Sequence, residues 1–249
     1  MLNLKHKTAL FFLCLLTLVL LSCGASHHIR TDQIYWAGDF TYSQLKDGGG
    51  IVGGVSSNVI EMTYTVRTEH NSNFYETLIL EMKEAQTIHI MSPEQLLEHI
   101  GRQNYFNMMG NFDDEGLVDE GTLQFLADTI PDVQYLLLAY IADEHIIDDE
   151  YDEYIKEGGE SKVETDYHKT YLLTVEFHIY DLHQAALVWR QIIYNRAEKS
   201  DSRTTRSGCV EGCIDSIFQA VLFGEPAKIE RKEVLVKIYK KLVKNLEKA

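Results

Sequence analysis

Positive charge is scarce in this chain: 23 lysines and arginines stand against 38 aspartates and glutamates, a formal net charge of −15. Such a surface repels phosphate backbones and anionic lipid, which argues against nucleic acid as a partner. Long apolar runs are scarce as well. After the first 21 residues no stretch approaches the roughly 20 apolar residues that a membrane-spanning helix needs. Cysteine occurs only at Cys14, Cys23, Cys209 and Cys213, too sparsely for the disulfide framework of a small secreted domain. No internal repeat is visible.

What the chain does have begins at its first residue. Lys5 and Lys7 precede an almost wholly apolar stretch, residues 9–21, with no acidic residue, the layout of an export signal. The stretch ends Leu20-Leu21-Ser22-Cys23. This resembles the lipobox of bacterial lipoproteins: an aliphatic residue, a tolerant position, a small residue, then the cysteine that takes a diacylglyceryl thioether. The resemblance implies cleavage before Cys23, recognition of Leu20, Leu21 and Ser22 by the lipoprotein signal peptidase, and palmitate-type acylation of a chain facing the periplasm. Gly24 follows where the inner-membrane retention signal of many Gram-negative bacteria would be Asp, which implies the outer membrane. Each acyl CH₂ buried in the bilayer is worth about 0.8 kcal/mol, so two or three chains anchor a protein effectively permanently. The membrane partner is then reached through lipid on Cys23, and the mature domain needs no membrane-binding face.

Residues 1–22 would be removed and residues 23–31 would form a lipidated tether. Residues 32–249 would form one periplasmic domain of ordinary size. Loss of Lys5 and Lys7 leaves 38 acidic against 21 basic residues, a net of −17. Residues 143–166 hold eleven carboxylates against Lys156 and Lys162, and residues 143–168 read as an exposed acidic loop. Residues 228–249 reverse the sign with eight basic residues and read as a basic helix. Acidic loop and basic helix can face each other or two different partners. Cys14 leaves with the signal. Cys209 and Cys213 stand at i,i+4, an awkward helical separation for a disulfide, and both a bridge and two reduced core thiols remain open.

Alternation and helical spacing give the element order. Residues 33–42 read as a first strand, punctuated by Gly48-Gly49-Gly50; residues 60–66 alternate like a strand, with a helix also open over so few residues. Phe74, Leu78 and Met82 mark a helix over residues 74–84, with Asn71, Ser72 and Asn73 as candidate caps. Residues 87–91 are a short strand. Ser92-Pro93-Glu94-Gln95 opens a helix with a capping box, fading near Asn107. After a polar loop over residues 111–121 comes a short helix, 122–129. Residues 133–141 are apolar on both faces and read as a central strand. Residues 171–180 alternate and pair as a hairpin with residues 187–194. A polar loop, 199–208, and two helices, 210–222 and 232–246, close the chain. The economical assignment is one α/β domain with a mixed sheet, packed by helices and carrying a hairpin in its C-terminal half.

Residues 88–95, 133–141 and 171–189 carry a family resemblance. A strand ending in Ser-Pro starts a helix, and an apolar central strand follows. A hairpin of the form Val175-Glu176-Phe177-His178-Ile179-Tyr180-Asp181 then Leu187-Val188-Trp189 closes the sheet. Over residues 87–194 this resembles the fold of the TolB amino-terminal domain, seen also in the curli-secretion lipoprotein and in lipoprotein activators of peptidoglycan synthases. Gln184-Ala185 stands where Thr-Gly is usual in the turn, and the acidic insertion is unusually long. The shared motifs are structural and bring no catalytic residue.

Other motifs carry little chemistry. Gly48, Gly50 and Gly53 satisfy G-x-G-x-x-G, but Gly54-Val55-Ser56-Ser57-Asn58 is a poor helix start, so a flexible loop is expected instead of a dinucleotide site. Asp148, Glu150 and Asp152 have calcium-loop spacing, yet Glu153 and Gly159 stand at the two anchor positions. His178 and His183, and His27 and His28, lack a third ligand. Ser56 and Ser57 lack a nucleophile-elbow pattern. The expectation is a non-catalytic envelope module, without cofactor or metal, that binds an envelope protein or its own copies. The alternative is a periplasmic hydrolase or metal-dependent enzyme whose site is assembled from distant residues.

Overall fold

The computed structural model of the chain describes residues 25–37, 40–82, 88–157, 160–206 and 227–249. Its fold is mixed α/β. The described elements are β1 (Ser26–Trp36), α1 (Tyr42–Gly48), β2 (Gly50–Ser57), α2 (Tyr64–Glu81), β3 (Ile90–Met91), α3 (Pro93–Ile100), α4 (Arg102–Glu115), α5 (Glu120–Thr129), β4 (Tyr135–Glu157), β5 (Glu160–Asp181), β6 (Ala186–Arg206) and α6 (Arg231–Leu246). The strands form a sheet in the order β1-β6-β5-β4-β2-β3. β2 is parallel to both β3 and β4. Two residues separate β4 from β5 and four separate β5 from β6, too few for a parallel crossover, so those neighbours are antiparallel. The chain groups into two compact units. One comprises Met1–His27, Asp148–Lys169 and Ala197–Ile229, the other His28–Ile147, Thr170–Arg196 and Glu230–Ala249.

The larger unit holds the core, and β2 lies inside it, between β4 and the edge strand β3. Every residue of β2 is buried. The glycine-rich stretch expected as a loop from residue 48 onward is therefore a central strand from Gly50. A Cβ at Gly53 would come within 2.6–2.8 Å of the Leu138 and Leu136 side chains. At Gly54, φ is +141° and a Cβ would lie 2.9 Å from both Asn71 and Tyr105. The register against β4 shifts between Val52 and Gly54, so the glycines serve a bulge and a close approach. Periodicity cannot distinguish that from a loop.

Helices cover both faces of this unit's sheet. On one face α3, α4 and α5 place Leu96, Met108, Met109, Phe112, Leu123 and Leu126 against Ile51, Leu136, Leu138 and Tyr180. On the other, Phe74 of α2, Tyr239 of α6 and Phe177 of β5 stack with centroids 4.8–6.0 Å apart. Alternation along β5 produces both contacts, Phe177 pointing one way and Tyr180 the other. The basic C-terminal helix holds as expected, with Leu235, Ile238 and Leu242 buried.

Local chemistry sets the helix ends. Ser92 and Gln95 form the expected capping box at α3. Residues 60–66, which the sequence leaves open between strand and helix, lead into α2, whose cap is Thr63, so Asn71 and Asn73 sit buried inside that helix instead of starting it. Gly101, at φ +77°, divides the expected single helix into α3 and α4. α4 continues to Glu115, into the expected loop. Asp119 caps α5. At the β5–β6 turn Asp181 accepts from Gln184 N at 3.0 Å and from Gln134 Nε2 at 2.8 Å. Ala185 occupies the left-handed region, φ +48°, where glycine is usual.

Along β4, β5 and β6 two expectations are overturned. Residues 143–168, read as an acidic loop, lie within β4 and β5, with 143–147 in the larger unit and the rest in the smaller, apart from residues 158–159, which are outside the described residues. Residues 199–206, read as loop, belong to β6. Composition misled because these strands are exposed: nothing apolar alternates, and order comes from the interstrand ladder and side-chain ties. Within the smaller unit Asp152 accepts from Thr165 Oγ1 at 2.7 Å, Ser202 donates to Glu164 at 3.0 Å, and Lys169 pairs with Asp148 at 3.1 Å. Residues 26–31, read as part of a tether, are the first part of β1. Leu20, Leu21, Ser22, Cys23, Cys209, Cys213 and the expected helix 210–222 lie outside the described residues.

Trp189 is 2% exposed. Trp189→Ala should lower unfolding free energy by about 3–5 kcal/mol through lost burial and a residual cavity. Chemical denaturation checks this, and an unchanged midpoint would contradict the hairpin packing.

Candidate functional site

Open α/β sheets bind ligands at the carboxyl ends of their parallel strands, and there β2 carries a buried polar network. Asn71 Oδ1 accepts from Val55 N at 2.8 Å, and Asn71 Nδ2 donates to the Tyr105 hydroxyl at 2.8 Å. That hydroxyl donates in turn to Gly53 O at 3.0 Å. Burial pushes the Tyr105 pKa up to about 12, keeping the hydroxyl protonated. Arg67, with its side chain 7% exposed, donates to Val55 O at 3.2 Å and to Asp113 Oδ2 at 2.6 Å. Ser56 donates to the other Asp113 oxygen. Ser57 donates to Ile141 O and accepts from Val59 N and Ile60 N.

Each of these groups has a structural task. They bind the irregular backbone of β2 to α2 and α4, which satisfies polar atoms that the bulge takes out of the ladder. The Asp113 carboxylate beside Ser56 is held by the Arg67 guanidinium. A shallow cleft borders the network, lined by Tyr64, Asn71, Glu94, Leu97 and Phe106. Arg102 lies over both the Tyr64 and Phe106 rings, 5.6 Å from each centroid. Sequence reasoning singles out none of Arg67, Tyr105 and Asp113, and takes Asn71 only as a candidate cap. The available signal was Arg67 and Asn71 at i,i+4 on one face of a helix.

A second, half-buried charge cluster lies on β5 and β6. Glu176 Oε2 accepts from Arg190 Nε at 3.0 Å and NH2 at 2.5 Å, with His178 Nε2 at 3.4 Å. The His178 contact, then Arg190, holds the Glu176 carboxyl below its usual range. His178 is 1% exposed, and burial lowers its pKa. His183 is exposed in the turn, so the two histidines are not brought together.

Elsewhere in the larger unit Arg231 grips Glu144 with both arms, 2.7 and 3.0 Å, and both bond the Tyr171 hydroxyl. Among the described residues, acidic stretch and basic helix thus meet through Glu144 and Arg231.

In the smaller unit Asp148, Glu150 and Asp152 lie along an extended strand. Alternate residues there are about 6.6 Å apart, so the turn that a calcium loop requires is missing from this segment. Among the described residues no three His, Cys, Asp or Glu side chains gather as metal ligands. Tyr151 and Tyr154 of the same strand are 62% and 76% exposed.

No family model matches the chain, and no curated protein matches it. Solved structures with similarity include the PelC dodecamer from Paraburkholderia phytofirmans, 12% identical over 89% of this chain and 98% of that one, at a TM-score of 0.38. The hypothetical protein CT253 from Chlamydia trachomatis is 10% identical over 81% and 96%, TM-score 0.37. Lipoprotein GNA1162 from Neisseria meningitidis is 9% identical over 70% and 92%, TM-score 0.27.

His178 and the likewise buried His70 both have pKa values lowered below 6.5, chiefly by burial. The unfolded chain then binds more protons than the folded one as pH falls below 6.5. Stability is full above that pH and declines beneath it, by up to about 1.4 kcal/mol per pH unit per histidine. Glu176, lowered from 4.5, adds a further loss as pH falls through its folded pKa. His178→Gln should reduce the slope of unfolding free energy against pH just below 6.5. An unaltered slope would contradict the neutral buried imidazole.

Proposed function

We propose that this chain is a bacterial envelope lipoprotein, lipid-anchored through Cys23 to the outer membrane and facing the periplasm, that works without catalysis as a binding or assembly module. The anchor rests on the run ending Leu20-Leu21-Ser22-Cys23. Among the described residues no helix is long and apolar enough to cross a membrane, in keeping with attachment by lipid.

The observation that carries the binding reading is the acidic surface of the smaller unit. It is built of strands, tied by side-chain hydrogen bonds, and presents exposed tyrosines among its carboxylates. A chain that orders such a surface without burying it gains little stability from it, whereas tyrosine is enriched where proteins meet. The network at the end of β2 supports the same reading, because its serine, aspartate and arginine are committed to the backbone and to each other.

The test combines palmitate labelling with crosslinking in intact cells. Wild-type protein should incorporate label, sediment with outer membranes and crosslink to a defined protein. Cys23→Ser should take no label and leave the membrane fraction. Unlabelled wild-type protein would overturn the anchor, and absence of any crosslinked protein would overturn the module.

A further inference from the structure

We propose that the edge of β4 over residues 148–154, which no described strand covers, docks an extended, lysine- or arginine-bearing segment of another envelope protein by strand addition. This rests on the binding-module reading and names its surface and partner chemistry. β4 lies between β5 and β2 in the sheet, but β2 ends at Ser57, opposite Ile141. From residue 148 onward β4 therefore has β5 on one side and, among the described residues, no strand on the other. Backbone N–H and C=O groups of alternate residues face that side, a template for one more strand. Seven residues at about 3.3 Å each make an edge of roughly 23 Å, an ordinary strand length.

Charge selects the occupant. Asp148, Asp149, Glu150, Asp152 and Glu153 distribute carboxylates to both faces of the strand. Asp148 is paired with Lys169 and Asp152 accepts from Thr165, both on β5. Asp149, Glu150 and Glu153 are exposed, and no ion pair engages them among the described residues. A second copy of β4 would set carboxylate against carboxylate, which is destabilising in directly opposed strand pairs. A strand carrying cations at alternate positions meets the opposite sign on either face. Acidic residues alone would serve to keep the edge unpaired. Tyr151 and Tyr154, of opposite parity along the strand, do not fit that protective role. They add contact area of the kind that interfaces favour. An edge of main-chain donors and acceptors is matched by a peptide backbone, which favours protein over a cationic polysaccharide.

The experiment uses the full lipidated protein in detergent and three synthetic probes. These are a peptide alternating Lys with Thr or Val, the same peptide N-methylated at every second residue, and free polylysine. The alternating peptide should bind, weakening about tenfold or more as salt rises through the physiological range. It should also bind about tenfold more weakly to the D149K/E150K/E153K protein. N-methylation keeps the charge and removes the outward hydrogen bonds, and should weaken binding by a similar factor. Equal binding of the methylated peptide or of polylysine would reduce the edge to unspecific charge attraction and overturn the proposal, as would no binding by the alternating peptide. In intact envelopes, capture of the same crosslinked protein by wild-type and D149K/E150K/E153K chains would overturn the docking edge and leave the module reading standing. Capture by neither would sink that reading itself.

Discussion

Burial of β2 on all its residues is the constraint from which the larger unit follows. A strand covered on both faces must hand every polar atom to a neighbour. β3 and β4 take most of the ladder, and the bulge at Gly53-Gly54 leaves backbone groups that Asn71, Arg67 and Tyr105 satisfy. Those side chains fix where α2 and α4 lie. The same glycines let Leu136 and Leu138 approach closely enough for one continuous core beneath α3, α4 and α5.

The sequence was legible where burial produces a period. Alternation along residues 171–180, the apolar run beginning at Val133, the capping box at Ser92 and the leucine stripe of α6 all translate directly into observed elements. It was illegible where other forces decide. A glycine-rich central strand has no side-chain pattern to read. The start of α2 is set by Thr63 and by buried polar residues, which look like loop composition. The outer parts of β4, β5 and β6 are exposed, so hydrogen bonding between strands, invisible in one-dimensional patterning, holds them.

The polar network at the end of β2 was unreadable for a related reason. Arg67, Asn71, Tyr105 and Asp113 come from two helices and meet only because the bulge draws them to one place. Such a group resembles an active site in composition. Its hydrogen bonds run within the group and to the β2 backbone: Asp113 is divided between Ser56 and Arg67, and the Tyr105 hydroxyl between Asn71 and Gly53.

Strand addition at the acidic edge depends on residues 148–154 being a strand with one side paired and one side free. Amide hydrogen exchange measured residue by residue tests it. Along this segment, amides directed at β5 should exchange slowly and the alternate amides rapidly. Uniformly fast exchange would show an acidic loop, and uniformly slow exchange an edge already occupied; either result would contradict the account.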